Sequence, residues 1–311
     1  MSKTENVVEK SINFMGQRFV AIALSAVLLI GSIGSLAVNG LQFGLDFTGG
    51  LQVEAEFTQR ADLESIRKNL GDSGFEDATI VYFGAETEVM VRMQQDLTSG
   101  VEQDVLAALK STTDGDVIIK RIEFVGPQVG DELRDQGGIG MLFALAVVMV
   151  YVALRFQFKF SVASVAALGH DVLIVLGFFS IFKLDFDLTV LAAVLAVIGY
   201  SLNDTIVVFD RIRENFRKIR KVDAIEVVNI SLTQTLGRTL VTSLTTLLVL
   251  LALFFVGGEL IHAFSIALMI GVFVGTYSSV YVAANILLLM KVTKEDLMEP
   301  VKEGLEEDEM P

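Results

Sequence analysis

Four ionisable side chains lie inside long apolar stretches of this sequence: Asp204, Arg238, and the adjacent pair His170 and Asp171. Insertion scales place the cost of a charged residue at the centre of a membrane helix at about 2.5–3.5 kcal/mol. Each of these side chains therefore needs a structural or chemical reason to be where it is. Proton transfer is the first chemistry to consider, because carboxylate and imidazole groups gain and lose protons readily.

Asp204 lies on a polar stripe of a predicted helix. At helical spacing its face also carries Tyr200, Ser201 and Arg211, and Arg238 opens another apolar stretch whose face continues with threonines. A carboxylate whose charge is favoured by a cation and disfavoured by burial is poised to exchange a proton. We therefore predict Asp204 and Arg238 as a proton relay. The alternative is that Arg238 snorkels to the lipid headgroups while Asp204 only pins two helices together.

His170 and Asp171 are neighbours in the middle of a third apolar stretch. Consecutive helical residues point roughly 100° apart, so the two are not expected to share a face. Histidine titrates near neutral pH, which makes the pair, together with Ser201 and Tyr200, candidates for a secondary relay. A satisfied polar pair inside the core is the alternative interpretation.

Asp210, Arg211 and Arg213 form a charged motif at the end of the stretch that carries Asp204. We predict that this motif ends a membrane helix on the cytoplasmic side. Charges at such helix ends are ordinary, so a solvated surface is the alternative to a functional role.

The sequence lacks the residue patterns that nucleotide, metal or nucleic-acid binding would require. No G-x-x-x-x-G-K-[ST] loop is present, which argues against nucleotide binding and hydrolysis. The chain has 0 cysteines and 2 histidines without ligand spacing, so we expect neither a metal site nor a cofactor. A net charge of −14 without a basic face argues against a nucleic-acid partner. The sequence therefore predicts a protein that is not an enzyme.

Composition indicates that lipid is part of this protein's solvent. Of 311 residues 52% are hydrophobic, and the mean hydropathy is +0.59, which is too apolar for a soluble domain of this size. We interpret the first apolar run as an uncleaved anchor, because it is longer than the core of a usual leader peptide. Runs long enough to cross a bilayer are predicted at 19–38, 137–154, 161–182, 188–209, 238–256 and 263–290.

Basic residues set the predicted orientation, since Lys and Arg of short loops stay in the cytoplasm. They precede the first run, separate the second from the third, and follow the fourth and the sixth. Both termini are then cytoplasmic. The predicted parts are a cytoplasmic N-terminus at 1–18, a first membrane helix at 19–38, an extracytoplasmic domain at 39–136, further membrane helices at 137–290 with a cytoplasmic amphipathic segment at 210–237, and an acidic cytoplasmic tail at 291–311.

The extracytoplasmic segment alternates between strand and helix periodicity. Val53, Ala55 and Phe57 alternate with glutamates, and a helical stripe follows. Two strands, a second helical stripe and a last strand complete the order β-α-β-β-α-β, which is typical of the ferredoxin-like fold. The predicted fold class is an all-α membrane domain of six transmembrane helices with a small extracytoplasmic α+β ferredoxin-like domain.

Three stretches resemble a known family. Leu45–Gly50 (LDFTGG), Gly199–Asn215 (GYSLNDTIVVFDRIREN) and Ser243–Thr246 (SLTT) closely resemble the SecF subunits of the bacterial SecD/SecF protein-export complex. The likeness extends over about residues 15–292. It implies a fold relationship to the resistance-nodulation-division transporters, in which a six-span unit is one half of a pseudo-symmetric pair.

The resemblance also implies a function and partners. Members of this family work in the bacterial inner membrane with SecD, beside the SecYEG channel, and use proton flow to help move preproteins. In the family, the aspartate matching Asp204 and the arginine matching Arg238 are linked to proton transport, and His170 and Asp171 also match. We therefore expect a multi-pass subunit driven by the proton motive force and not by ATP. The alternatives are a non-conducting scaffold that assembles SecD and other translocon factors, and half of a small-molecule exporter.

Overall fold

The structure is a computed structural model, which describes residues 11–94, 101–113, 115–219, 222–258 and 261–293. The N-terminal segment predicted at 1–18 and the acidic tail predicted at 291–311 lie largely outside these residues. After a short 3₁₀ turn at Met15–Gln17, the elements in chain order are α1 (Arg18–Asn39), β1 (Gln42–Phe43), α2 (Leu45–Thr48), β2 (Gly50–Phe57), α3 (Leu63–Asp72), β3 (Thr79–Phe83), β4 (Ala85–Met93), α4 (Val101–Lys110), β5 (Val117–Val125), α5 (Pro127–Arg155), α6 (Phe158–Phe182), β6 (Asp185–Phe186), α7 (Leu188–Lys218), α8 (Ala224–Val256) and α9 (His262–Leu289).

Within the described residues, six helices are long and apolar enough to cross a membrane: α1 with its preceding turn, α5, α6, α7, α8 and α9. Helices α6, α7 and α9 form the centre, with 56%, 56% and 44% of their most apolar windows buried. For α1, α5 and α8 the shares are only 17%, 6% and 17%. The exposed faces of these three helices carry large apolar side chains such as Phe19, Leu142 and Val249. Such faces suit lipid or a partner's membrane helices.

Small residues let the central helices approach closely. A Cβ atom added to Gly275 of α9 would lie 3.0 Å from the Cβ of Ser201 in α7. A Cβ atom on Gly177 of α6 would meet the side chain of Ser32 in α1. Without a strong hydrophobic force between helices in lipid, such close packing is a main source of helix association.

The α+β domain confirms the ferredoxin-like prediction. Its sheet has the order β3-β4-β2-β5, with every neighbouring pair antiparallel. Helices α3 and α4 cover one face, where Val53, Ile66 and Val105 are fully buried. Asp62 caps α3 by accepting a hydrogen bond from the backbone N–H of Glu64 at 3.1 Å. The Ser65 hydroxyl and this backbone N–H hold the pKa of Asp62 below its usual value.

The other face of this sheet carries a buried acid. Glu54 of β2 is 9% exposed, and its Oε1 has no hydrogen-bond partner among the described residues. Burial raises the pKa of the Glu54 carboxyl, and nearby Arg121 partly offsets that effect. On the same face, Arg92 of β4 donates to Asp185 Oδ2 at 3.0 Å. The sheet is thereby tied to the turn between α6 and α7.

The LDFTGG stretch forms a compact joint between the two domains. Asp46 Oδ2 accepts a hydrogen bond from the backbone N–H of Leu188, at the first residue of α7, at 3.0 Å. Strand β1 pairs in parallel with β6, which precedes α7. Gly49 and Gly50 have φ values of +69° and +113°, a region that favours glycine. A Cβ atom on Gly49 would also lie only 2.7 Å from the Cα of Pro127.

Residues 210–237, predicted as one cytoplasmic amphipathic segment, are divided between two helices. Helix α7 continues to Lys218 and α8 already begins at Ala224. Val228 and Leu232 are buried in one apolar cluster with Phe209. These two apolar residues of the segment therefore pack inside the helix bundle. Helix α5 likewise begins at Pro127, earlier than the apolar run predicted at 137–154, because its first turns belong to the joint with the α+β domain.

Candidate functional site

Asp204 lies in the interior of the bundle, on α7. Asp204 is only 2% exposed, and its Oδ2 has no hydrogen-bond partner within the described part of the chain. The hydroxyls of Thr205 and of Thr239 on α8 are also buried without a partner there. An unsatisfied buried polar group costs about 1–3 kcal/mol. Each of these three groups lacks a hydrogen-bond partner within the described residues.

Two contacts fix the register of α7 against α8. Tyr200 donates from its hydroxyl to Ser243 Oγ at 3.3 Å, and Asn215 Nδ2 donates to Ser231 Oγ at 2.8 Å. Because the two helices run antiparallel, Asp204 lies between these contacts at the level of Thr239. The packing of these helices brings the two predicted relay residues, Asp204 and Arg238, to the same region.

The relay residues do not form a direct ion pair. Among the described residues, none of the salt bridges within 4.0 Å involves Asp204 or Arg238. Arg238 is exposed on the surface of α8, directly before Thr239. Because no ion pair within 4.0 Å joins the two residues, any effect of the arginine on the acid would have to act through space.

The pair His170 and Asp171 is bonded more tightly than the sequence predicted. His170 Nδ1 lies 2.9 Å from Asp171 Oδ1, although adjacent helical residues were expected to point apart. The other carboxylate oxygen, Oδ2, accepts hydrogen bonds from Ser201 Oγ at 2.6 Å and Ser278 Oγ at 2.7 Å. His170 Nε2 lies 3.2 Å from Ser25 Oγ. One ring nitrogen of His170 therefore contacts the adjacent Asp171, while the other ring nitrogen and the second carboxylate oxygen contact residues of other helices.

This buried network joins α1, α6, α7 and α9. Ser25 of α1 also lies 3.0 Å from the hydroxyl of Tyr277 on α9, and that hydroxyl donates to the Ala21 carbonyl at 2.7 Å. Of the secondary relay candidates, Ser201 belongs to the network. Tyr200 does not, since it bonds to Ser243, which in turn lies 2.7 Å from Thr276 Oγ1.

Sequence reasoning missed three members of the network: Ser25, Tyr277 and Ser278. The available signal was small polar residues within otherwise apolar runs, which are common at helix interfaces in membranes. In the described ranges, no group of three or more His, Asp or Glu side chains could hold a metal ion.

The charged motif at the end of α7 lies at the surface. Asp210 is 3.6 Å from Arg155 of α5, and Arg211 pairs with Glu214 at 2.8 Å, with the side chains at least 40% exposed. Exposed ion pairs of this kind contribute about 0–1 kcal/mol. The motif is therefore not part of the buried polar sites.

Comparisons with known families agree with this architecture. The SecD/SecF protein-export membrane protein family, C-terminal part, matches residues 104–293, and the SecD/SecF GG motif matches residues 34–59. The latter range contains the LDFTGG joint.

Among curated relatives, the protein translocase subunit SecF of Pseudomonas aeruginosa is 51% identical over 296 residues, which is 95% of this chain and 96% of the relative. SecF of Vibrio alginolyticus is 50% identical over 97% of this chain and 98% of its own length. SecF of Escherichia coli O157:H7 is 43% identical over 96% and 94%.

Solved structures are also similar. The crystal structure of SecDF, a translocon-associated membrane protein from Thermus thermophilus, matches 91% of this chain with a TM-score of 0.84 and 37% identity. A SecDF structure in a super-membrane-facing form matches 90% with a TM-score of 0.68 at the same 37% identity. This chain spans 39% of the length of either SecDF chain. The matches confirm the resemblance and the fold class predicted from the sequence, and the chain belongs to the SecF family of multi-pass Sec protein-export membrane subunits.

Proposed function

We propose that this chain, together with SecD, couples proton movement across the bacterial inner membrane to late steps of preprotein translocation at the SecYEG channel. Asp204 carries the proton, and Arg238 tunes the acid from a distance. The observation that supports this most directly is the Asp204 carboxyl, 2% exposed in a membrane helix with one oxygen unpartnered in the described structure.

The environment of Asp204 suits a group that changes its charge. An ionised carboxylate away from water is costly unless it is paired and hydrogen-bonded, and Asp204 lacks a contacting cation among the described residues. A neutral acid is tolerated there more easily. Access of water, or approach of Arg238, would favour release of the proton. A rearrangement of α7 against α8 is therefore enough to switch the acid between its two states.

SecD completes the site in this proposal. The unpartnered groups of Asp204, Thr205 and Thr239 need water or a second protein for their hydrogen bonds. The outward apolar faces of α1, α5 and α8 offer room for partner helices. SecDF chains, of which this chain matches 39%, carry additional sequence of their own. The two SecDF structures match this chain unequally, at TM-scores of 0.84 and 0.68, which supports a fold with more than one arrangement.

In this proposal the membrane potential supplies the energy, and the basic loops set the orientation of the chain in the membrane. Basic loops support cytoplasmic termini and an extracytoplasmic α+β domain. One elementary charge crossing the field is worth about 2.3 kcal/mol per 100 mV. That is enough to shift a conformational equilibrium about 50-fold without ATP, at about 1.4 kcal/mol per factor of ten.

The His170–Asp171 network has a different role in this proposal. Both oxygens of Asp171 and both ring nitrogens of His170 have partners. Fully satisfied polar networks fix the packing of a core. We assign this network to holding α1, α6, α7 and α9 in register, with proton transfer at Asp204.

The test is Asp204→Asn in the chain co-purified with SecD and reconstituted in vesicles with the SecYEG channel and a preprotein. We expect normal assembly, with loss of proton flux and of proton-dependent export. The matched control is Asp223→Asn, the same change at an exposed helix cap where asparagine also caps. Export at the normal rate in the Asp204 variant would refute the coupling role.

The scaffold hypothesis makes the opposite prediction. It is favoured by α5, whose apolar window is only 6% buried and which therefore presents a broad lateral face. If the chain only assembles other factors, Asp204→Asn and Arg238→Ala are harmless, whereas polar substitutions at exposed α5 residues such as Leu142 abolish co-purification of SecD.

A further inference from the structure

A cavity lies where α5 and α7 end, away from the buried polar sites. Its volume is about 380 Å³, and the described residues that line it are all charged: Arg155, Asp210, Arg213, Glu214, Arg217 and Lys218. Four of these side chains are cationic and two are anionic, so the cavity carries an excess of two positive charges. Positively charged pockets at the ends of membrane helices suit the headgroups of anionic lipids.

The acids of the cavity already have cationic partners. Asp210 lies 3.6 Å from Arg155. Glu214 pairs with Arg211 at 2.8 Å and with Lys218 at 2.5 Å. An arginine of the cavity still needs hydrogen-bond acceptors for its guanidinium group, even where the rest of its side chain is partly buried.

Arg213 is a cation of this cavity for which the described residues supply no acidic partner. Its side chain is half-buried and lines the cavity, and within the described ranges it makes neither an ion pair nor a hydrogen bond. A guanidinium offers a planar fork of donors that matches two oxygens of a phosphate. The unpaired fork therefore defines the position in which a phosphate group would sit.

Exposed apolar side chains lie close in the chain to Arg155, one of the residues that line the cavity. At the end of α5 and the start of α6, Val150, Leu154 and Phe158 are 55%, 84% and 71% exposed. Val150 and Leu154 belong to α5 and Phe158 begins α6, and both helices are long enough to span the bilayer. Acyl chains can therefore lie against the same corner of the protein at which the phosphate would bind.

We propose that this cavity is a binding site for the phosphate group of an anionic phospholipid, held by Arg213 and Arg155 with the acyl chains against α5 and α6. A free phosphate offers the same acceptor oxygens but none of the apolar contact. The site is separate from the proton pathway, so its test does not depend on proton-driven export.

The experiment measures lipid retention by native mass spectrometry of the full chain, alone and co-purified with SecD. The probes are phosphatidylglycerol, phosphatidylcholine of equal chain length, and inorganic phosphate. We expect the chain to retain phosphatidylglycerol in preference to phosphatidylcholine. Arg213→Gln should weaken phosphatidylglycerol binding about fivefold, the loss that matches one basic residue near a membrane surface.

The control is Arg18→Gln, which removes the same charge outside the cavity, where Arg18 stacks on Phe19. This variant should retain phosphatidylglycerol like the unchanged chain. Equal losses in both variants would reduce the site to diffuse attraction and overturn the proposal. So would displacement of the lipid by inorganic phosphate at comparable concentration, or loss of bound lipid once SecD is present, since a partner's acid would then occupy Arg213.

Discussion

Replacing Ser278 by alanine should destabilise the membrane bundle, because its hydroxyl donates to buried Asp171 across the interface of α9 with α6. The hydrogen bond is 2.7 Å long, and the same Asp171 oxygen accepts from Ser201 at 2.6 Å. A hydrogen bond contributes about 0.5–1.5 kcal/mol net in soluble proteins, and interhelical ones in membranes average about 0.6 kcal/mol. We expect a loss of about 1 kcal/mol in the free energy of unfolding. Because Ser201→Ala strips the same oxygen, the double variant should lose more than the sum of the two single variants.

The assay is equilibrium unfolding of the full chain in lipid–detergent micelles, and the control is the neighbouring Ser279→Ala. Ser279 is equally buried, but its hydroxyl donates to the Thr276 carbonyl of its own helix at 2.9 Å. Both substitutions remove one buried hydroxyl, and only the first breaks a contact between helices. If Ser278→Ala costs no more than Ser279→Ala, the interhelical network does not stabilise the bundle as argued.

Two further predictions concern the α+β domain and its joint. Asp46→Ala should speed hydrogen exchange in the first turn of α7 and lower the free energy of unfolding by about 1 kcal/mol, because it removes the acceptor of the Leu188 N–H. The control is Asp62→Ala, at the cap of α3, which should leave exchange in that turn unchanged. Equal exchange in both variants would contradict the role of Asp46 in holding the start of α7. Burial raises the pKa of Glu54 above 4.5. The folded state therefore holds this proton more tightly than the unfolded state does, so the free energy of unfolding falls as pH rises from about 4.5 through the pKa of the folded state. Glu54→Gln should abolish that decline in thermal unfolding of the domain, whereas a decline of unchanged slope would assign it to another group.

Periodicity in the sequence was sufficient for the α+β domain. The alternation of Val53, Ala55 and Phe57 with glutamates reflects a sheet with one face on the core, and the structure places these three residues there. Local signals of this kind survive because each strand or helix buries a face set by its own repeat. The polar stripe of α7 was also visible, since a carboxylate in an apolar run is rare.

The hydrogen-bond partners of individual side chains depend on tertiary contacts and could not be predicted from the sequence. Tyr200 and Ser201 lie on one predicted stripe, yet the first bonds to α8 and the second to Asp171. Nothing local distinguishes them, because packing of three helices sets which hydroxyl meets which partner. The apolar pattern at 210–237 fits a membrane surface and a bundle interior equally well. The contact of Asp46 with Leu188 joins positions far apart in the chain, and no spacing rule reports it.

The joint at Asp46 gives α7 the geometry of a lever. Its first residue, Leu188, is held by the stretch that leads directly into β2, one of the two central strands of the sheet. Asp204 lies on the same uninterrupted helix, roughly 24 Å further along at 1.5 Å per residue. A tilt of about 10° pivoting at the acid would swing the joint by about 4 Å. If Asp204 changes charge as proposed and α7 tilts in response, the sheet would have to move with the joint, or the contact of Asp46 with Leu188 would have to break.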